Sequence, residues 1–423
     1  MRRCCTALLL AILAASPASP APPGDARKGL VRPSGRAVAD DGGPFPALGA
    51  SLFWAAWAYK HDRARLDEHL ELLSRHKFDY IRALGVVGRQ PFWAGREIDW
   101  RWPDYDAVIA GLTDHAYDRY GLRVEWTIFA DADQVIPDPA DRVRLIDRFL
   151  EMSAGRAHKI MHFEVANESW QNGFGGDDGI RQIRDLTTRL ASKTAIPVAI
   201  SDSEGHTCED HLVLYRDMPV EIVTDHFARD VSGPLGRWAP VAAPWTARNC
   251  EGLPPLISNN EPVGPKSSVV SEADPHRIIA GAISSYMASV ALYVLHTDAG
   301  VWGRESLLSM PNAPAILKGL AAMKTYLPVD IATWRRHRRD TPEPVFTAEG
   351  GLELFVSVER GGNRFIALPI GIDGGITLEA RRAAIFDVRD LLTGEPFAQH
   401  TVKVGEQIRL AGRPAVVLTG SLR

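Results

Sequence analysis

The stretch HFEVANESW, His162–Trp170, decides how this sequence is read. Phe163, Val165 and Ala166 suit a packed β-segment, in which branched and aromatic side chains fill a pleated surface. Asn167, Glu168 and Ser169 then set three polar groups where an apolar strand would simply stop, and Trp170 follows at once. Burying a carboxylate is costly unless it is paired or used. The question is therefore whether Glu168 has a partner.

Working outward, the same texture repeats on both sides. LGASLFW (Leu48–Trp54) is followed by the helix-forming DRARLDEHLELLSRH, and FDYIRALG (Phe78–Gly85) by a helix from Tyr105 to Tyr120. LRVEWTIFA (Leu122–Ala130) precedes a helix from Ala140 to Met152, and KIMHFEVAN (Lys159–Asn167) one from Gly179 to Lys193. IPVAIS, VEIVTDH, PPLISNN and ALYVLHT supply four more strands, the last two followed by helices. Eight such units over residues 47–330 predict an α/β fold, a (β/α)8 TIM barrel. The Pro-, Gly- and Trp-rich segment between Asp225 and Pro254 reads as an elaborated loop without a helix. RRHRRD, Arg335–Asp340, reads as a solvated linker. Beyond it GLELFVSV, RFIALPI, GITLEA, VKVG and AVVLTG alternate between Gly-containing turns, predicting a small all-β, sandwich-like domain over 345–423.

At the other end, Arg2 and Arg3 precede the apolar run Ala7–Ala15 and the small-residue stretch SPASPAPPG. That layout predicts a signal peptide over 1–21, then a Pro/Gly-rich spacer over 22–46, and a secreted or periplasmic protein. The apolar run is too short to span a bilayer, and no membrane span is expected. Cys4 and Cys5 would leave with the signal. Cys208 and Cys250 would remain, either as a disulfide or as two separate buried thiols. With 24% charged residues and a formal net charge of −4, no electrostatic feature calls for nucleic acid or an anionic membrane. No HExxH, GxSxG or phosphate-loop pattern occurs, and GFGGDDG (Gly173–Gly179) lacks the Lys-Ser/Thr of such a loop, so it reads as a cleft rim. No metal and no cofactor are expected.

In a barrel of this type, chemistry gathers at the C-terminal ends of the strands. PPLISNNEP, Pro254–Pro262, ends as HFEVANESW does, on Asn260-Glu261. Glu168 and Glu261 can then face each other across the barrel mouth, as retaining glycoside hydrolysis requires of its acid/base and nucleophile. FEVANES resembles the strand-four signature of clan A glycoside hydrolases, closest in wording to the family 39 form, FE-hydrophobic-x-NEP. That resemblance implies Glu168 as acid/base, Glu261 as nucleophile, and Asn167 on the sugar hydroxyl next to the scissile bond. Arg82 in YIRALG and Trp302 in TDAGVWG fit the same pattern. Ser169 stands where Pro is commoner. In TDHFARD the sequence offers His226, but Phe227 where the family has a Tyr.

The resemblance covers 47–330 as spaced motifs and implies hydrolysis of β-linked oligo- or polysaccharides with retention. Arg82 would keep Glu261 charged, or form a structural ion pair with Glu164 or Asp79. Of the eleven Trp, Trp302, Trp170 and Trp54 are the candidates for stacking on pyranose rings. His206, His226 and His296 sit near the ends of strands five, six and eight, where they can line the site or pack. A reading from another class is an exported carbohydrate-binding or cell-surface barrel without catalysis.

Overall fold

Eight parallel strands close into a barrel: Ala47–Ser51, Tyr80–Leu84, Arg123–Phe129, Ile160–Ala166, Val198–Ala199, Ile222–Thr224, Leu256–Asn259 and Leu292–Leu295, here called strands one to eight. The closure pairs Ala47 of strand one with Leu292 of strand eight. This computed structural model describes residues 29–93, 95–247, 250–266, 270–337, 341–342 and 344–423. Helices cover the barrel's outside and side chains fill its inside, so every residue of strands one to four is buried.

Three of the long helices begin where the sequence puts an acidic cap. Asp62, Asp138 and Asp274 accept from the backbone N–H groups of Arg65, Ala140 and His276, opening Arg63–Arg75, Pro139–Ser153 and Pro275–Met287. The helix Tyr105–Tyr120 stops at Gly121, whose φ of +71° costs least without a Cβ. Of the shorter helices that escaped the sequence reading, two follow strands five and six. Cys208–Tyr215 follows strand five and opens with a capping box between Thr207 and Asp210. Ala239–Thr246 lies inside the segment expected to be a loop. It is apolar nearly all round, burying Val241, Ala242 and Trp245, and carries Pro244, so no amphipathic period announced it.

The expected spacer 22–46 is also more than a spacer. From Arg32 it forms a three-stranded antiparallel sheet, Arg32–Ser34, Ala37–Asp40 and Gly43–Phe45. Val31, Val38 and Phe45 pack with Ala47, Met161, Ile222 and Leu256, capping the N-terminal ends of the barrel strands. The buried Arg123–Asp40 pair, 3.0 Å apart, ties this cap to strand three. The expected signal peptide, 1–21, lies outside the described residues. Among those described, no helix is long and apolar enough to cross a membrane.

At the C-terminus a six-stranded antiparallel sheet is joined by a three-stranded one around Phe346, Phe365, Phe386 and Leu418. Its edge strand, Arg335–His337, comes from the Arg-rich segment expected to be a linker, because Arg335 and His337 pair with Val358 and Val356. Trp245 packs on Phe355, ring centres 5.2 Å apart, fastening this domain to the barrel.

A disulfide joins Cys208 to Cys250, Cα atoms 5.5 Å apart. It clips the short helix after strand five to the loop before strand seven. Closing a loop over a sequence separation of 42 constrains the unfolded chain. Replacing both cysteines by Ser is therefore expected to cost about 2–4 kcal/mol. Calorimetry with and without reductant checks this: a melting temperature equal to the parent's would sink it.

Candidate active site

Arg82 organises the mouth of the barrel. Projecting from strand two and fully buried, it donates to Glu261 Oε1 (2.7 Å), Glu164 Oε2 (2.6 Å), Asn167 Oδ1 (2.8 Å) and Thr127 Oγ1 (3.1 Å). Its guanidinium thus spans strands two, three, four and seven, the fan of donors that only Arg supplies. Both ion pairs considered from the sequence, with Glu261 and with Glu164, are made at once. Asp79 instead pairs with Lys324 at 2.5 Å.

Glu168 follows strand four in a left-handed conformation, φ +33°, rare for a residue with a Cβ. The turn is held by neighbours. Asn167 N–H donates to Phe129 O (2.9 Å), Ser169 N–H to Ser201 Oγ (2.8 Å), and Glu168 O accepts from Gln171 N–H (3.0 Å). This geometry swings the Glu168 carboxylate toward strand seven. Donor atoms of Glu168, His226 and Glu261 all lie within 4.8 Å of one another. His226 Nδ1 is 3.2 Å from Glu168 Oε1 and 3.9 Å from Glu261 Oε2, while its Nε2 pairs with Asn260 Oδ1 at 2.9 Å. Such a trio could hold a cation. Here two guanidinium groups already supply positive charge: Arg82, and Arg229, which reaches Glu168 Oε1 at 3.4 Å and Glu261 Oε2 at 3.5 Å.

The charges sort themselves by environment. Burial pushes Glu261 toward the neutral form, but His226, Arg82 and Arg229 outweigh it and hold the carboxyl far below the usual carboxylate range. Glu164 is likewise held low against burial by Arg82 and the Thr127 hydroxyl. Burial alone would lower His226, yet Asp202, Glu261 and Glu168 raise it to about 9. His296, whose Nδ1 pairs with Ser51 Oγ at 2.9 Å, is lowered by burial to about 4, so it faces Glu261 as a neutral imidazole.

Glu125, on strand three, takes the other course. Burial pushes it up to about 8 despite Arg82, with Glu164 adding repulsion, and its Oε2 has no hydrogen-bond partner among the described residues. Its folded pKa exceeds the ordinary 4.5, so the proton it retains stabilises the fold fully below pH 4.5. That stabilisation is lost as pH rises toward 8. Glu125→Gln keeps an acceptor for Asn260 Nδ2, 2.9 Å from Oε1, without a titrating proton. Between pH 5 and 8 the variant should lose on the order of 2–4 kcal/mol less stability than the parent. Denaturation curves at several pH values measure this; parallel pH dependences would contradict it.

Above the carboxylates opens a cleft of about 310 Å³, lined by Phe53, Trp93, Asp131, Asn167, Glu168, Glu261 and Trp302, among others. Trp302 and Trp93 form its aromatic wall, edge to face with centres 5.1 Å apart, and Trp93 donates to Asp131 Oδ2 at 3.1 Å. Gly300 sets the loop carrying Trp302, since a Cβ there would stand 2.1 Å from Ser51 O. Trp54 does not reach the cleft. It is fully buried, donates to Ala299 O at 2.9 Å and packs on His69, because the first turn after strand one folds inward under the Trp302 loop. Trp170 is 39% exposed and is not part of the cleft lining. His206 also stays out of the cleft, against Asp202 and Asp225.

Of the expected site residues, Glu168, Glu261, Asn167, Arg82 and His226 meet in one place, with Trp302 beside them. Glu125, Asn260, Arg229 and Trp93 were not singled out. Glu125 left one trace, a carboxylate interrupting the apolar LRVEWTIFA; Arg229 left none, since a single Arg beyond a strand reads as surface.

No family model matches the sequence, and no curated protein does. Solved structures do match in fold. A structure described as a glycoside hydrolase aligns at TM-score 0.65 with 9% identity, over 93% of this chain and 97% of that one. A family 5 glycoside hydrolase from Bacteroides vulgatus ATCC 8482 gives TM-score 0.65 and 11% identity, over 93% of each chain. A family 39 glycoside hydrolase from Bacteroides cellulosilyticus WH2 gives 0.52 and 10%, over 90% and 81%. At such identities the likeness is one of fold alone, and the fold is the one expected from the sequence: a parallel eight-stranded barrel followed by antiparallel β-sheets.

Proposed function

We propose that the chain is a retaining glycoside hydrolase acting on β-linked oligo- or polysaccharides, exported, with its catalytic unit in residues 47–330. The observation that carries this reading is the placement of the Glu168 and Glu261 carboxylates, donor atoms within 4.8 Å, at the floor of an aromatic-walled cleft. Retention needs carboxyl groups about 5–5.5 Å apart, whereas inversion needs room for an intervening water.

In this scheme Glu261, kept ionised by Arg82 and Arg229, attacks the anomeric carbon. Glu168 protonates the departing glycosidic oxygen, and a glycosyl-enzyme ester forms at Glu261. Glu168 then takes a proton from water, which attacks the same carbon and frees Glu261. Asn167, its Oδ1 anchored by Arg82, turns its amide toward the neighbouring hydroxyl. Trp302 offers its face to the apolar side of a pyranose ring.

One observation favours a second reading, a carbohydrate-binding barrel without turnover: Arg229 contacts both carboxylates. A screen of aryl β-glycosides and of β-glucan, xylan and mannan polysaccharides separates the two. Release of sugar with the anomeric configuration kept, read by proton NMR, is expected. Binding without release on every substrate favours the second reading, and an inverted product overturns the mechanism.

A further inference from the structure

Beside the catalytic cleft, the loops after strands one, two and three enclose a second hollow of about 620 Å³, larger than the cleft's 310 Å³. Both fall in the range of small-molecule sites, roughly 300–1,000 Å³. Gln134 lines the two alike, so they adjoin. Two half-buried indoles, Trp57 and Trp102, form the aromatic part of the second hollow. Neither indole N–H has a hydrogen-bond partner among the described residues, whereas those of Trp93 and Trp100 donate to Asp131 Oδ2 and Val135 O. Arg89, Glu97 and Gln134 add a guanidinium, a carboxylate and an amide, again without a hydrogen-bond partner among the described residues.

The walls of this hollow are set in advance. Val87 and Ile98 exchange two backbone hydrogen bonds, 3.0 and 3.2 Å, closing the loop after strand two at its base. Asp131 Oδ2 accepts from Gly88 N–H (3.0 Å) and from Trp93 Nε1–H (3.1 Å), tying that loop to the cleft's aromatic wall. A Cβ on Gly88 would stand 2.9 Å from Gln134 Oε1 and 3.0 Å from Asp131 Cβ, so glycine lets the two loops meet closely. His61 packs on both indoles, ring centres 5.5 Å from Trp57 and 5.7 Å from Trp102. Side chains fixed beforehand lose little freedom on binding.

Such a lining matches the two surfaces of a sugar. Pyranose C–H faces stack on indoles, and adjacent hydroxyls match the forked donors and acceptors of guanidinium, amide and carboxylate. Charge is balanced, since Arg89 and Arg101 stand with Glu97 and Asp99, and Arg101 already pairs with Asp99 at 2.8 Å. The lining therefore favours uncharged sugars. We infer that this hollow is a distal binding site for neutral sugar units of the same β-linked glycan that the cleft holds. A glycan long enough to lie across both hollows is then preferred to a short one. The inference rests on the hydrolase reading, because that reading supplies the glycan.

The test titrates the full chain carrying Glu261→Ala, which leaves the glycan intact, by calorimetry. The ligands are cellohexaose, xylohexaose and mannohexaose, each against its own disaccharide. For at least one sugar the hexasaccharide is expected to bind ~10-fold or more tightly, since stacking on an indole removes apolar surface from water. Trp57→Ala and Trp102→Ala should each pull that ratio toward one. The ratio is taken within one sample, so partial unfolding lowers both affinities and leaves it alone. Arg89 is exposed, and Arg89→Ala, which should also cut the ratio, decides the matter if neither Trp variant folds. Hexasaccharides that bind no better than their disaccharides for all three sugars would overturn the assignment. So would a ratio unchanged in the variants, or β-linked hexamannuronate bound more tightly than every neutral hexasaccharide. Length dependence is read without turnover, so the two readings fail separately. A parent that hydrolyses glycosides but lacks it sinks only this inference, and one that shows it but releases no sugar sinks only the hydrolase.

Discussion

Glu261→Ala is expected to lower turnover of an aryl glycoside roughly 10⁴-fold or more, the scale on which losing a nucleophile acts. The fold should survive the change. Arg82 retains Glu164, Asn167 and Thr127 as acceptors, and Arg229 retains Glu168. The cavity left by the carboxylate is open to the cleft, so azide can enter and attack the anomeric carbon in its place. For a β-glycoside the product is then the α-glycosyl azide, since only one displacement has occurred. Glu168→Ala should behave differently. Glu261 still forms the glycosyl-enzyme when the leaving group needs no proton, and azide then releases the β-glycosyl azide. The two anomers, separable by NMR, assign each carboxylate its role. Exchange of the two products would reverse the assignment, and undiminished hydrolysis by Glu261→Ala would end it.

Arg82→Met should be the most destabilising single change in the barrel, costing about 3–5 kcal/mol. One buried guanidinium serves Glu261 and Glu164 at 2.7 and 2.6 Å and approaches Glu125 at 3.2 Å. Removing it leaves two carboxylates charged in a water-poor interior, or forces them to take up protons. Met fills comparable space, so the loss reports charge more than a cavity. Arg82→Lys should recover only part, because an ammonium cannot spread its donors across three other strands. Adding Glu164→Gln to Arg82→Met should win back stability, since it removes one of the stranded charges. Urea denaturation measures each step. An Arg82→Met protein within about 1 kcal/mol of the parent would show that the network contributes little.

Much of this was legible in the chain. Strands three and four, buried on both faces, read as β-segments rich in branched and aromatic residues although Glu125 and Glu164 interrupt them, and Asp62, Asp138 and Asp274 stand in the chain where ordinary capping chemistry starts a helix. HFEVANESW and PPLISNNEP stood out because each ends a buried strand on Asn-Glu. The helix Ala239–Thr246 was hidden because its residues are apolar nearly all round, which removes the polar stripe that makes periodicity visible. The edge strand Arg335–His337 was hidden because its partner, Glu353–Val358, lies beyond the intervening strand Phe346–Gly350, and pairing at that range leaves no local signal.

What the sequence determined by itself was therefore periodic or local: the alternation of strands and helices, the caps, and the polar residues that end strands four and seven. Tertiary structure alone decided which side chains meet. It sent Trp54 into the core and Trp93 to the cleft, brought Arg229 across both glutamates, pushed the Glu125 carboxyl up by burial, and gathered Asp202, His206 and Asp225 into one cluster. The physical reason is that hydrogen bonds, ion pairs and ligand sets act over a few ångströms in space. Barrel closure sets those distances between residues far apart in the chain, as it does for Arg82 and Glu261, 179 positions apart and 2.7 Å from each other.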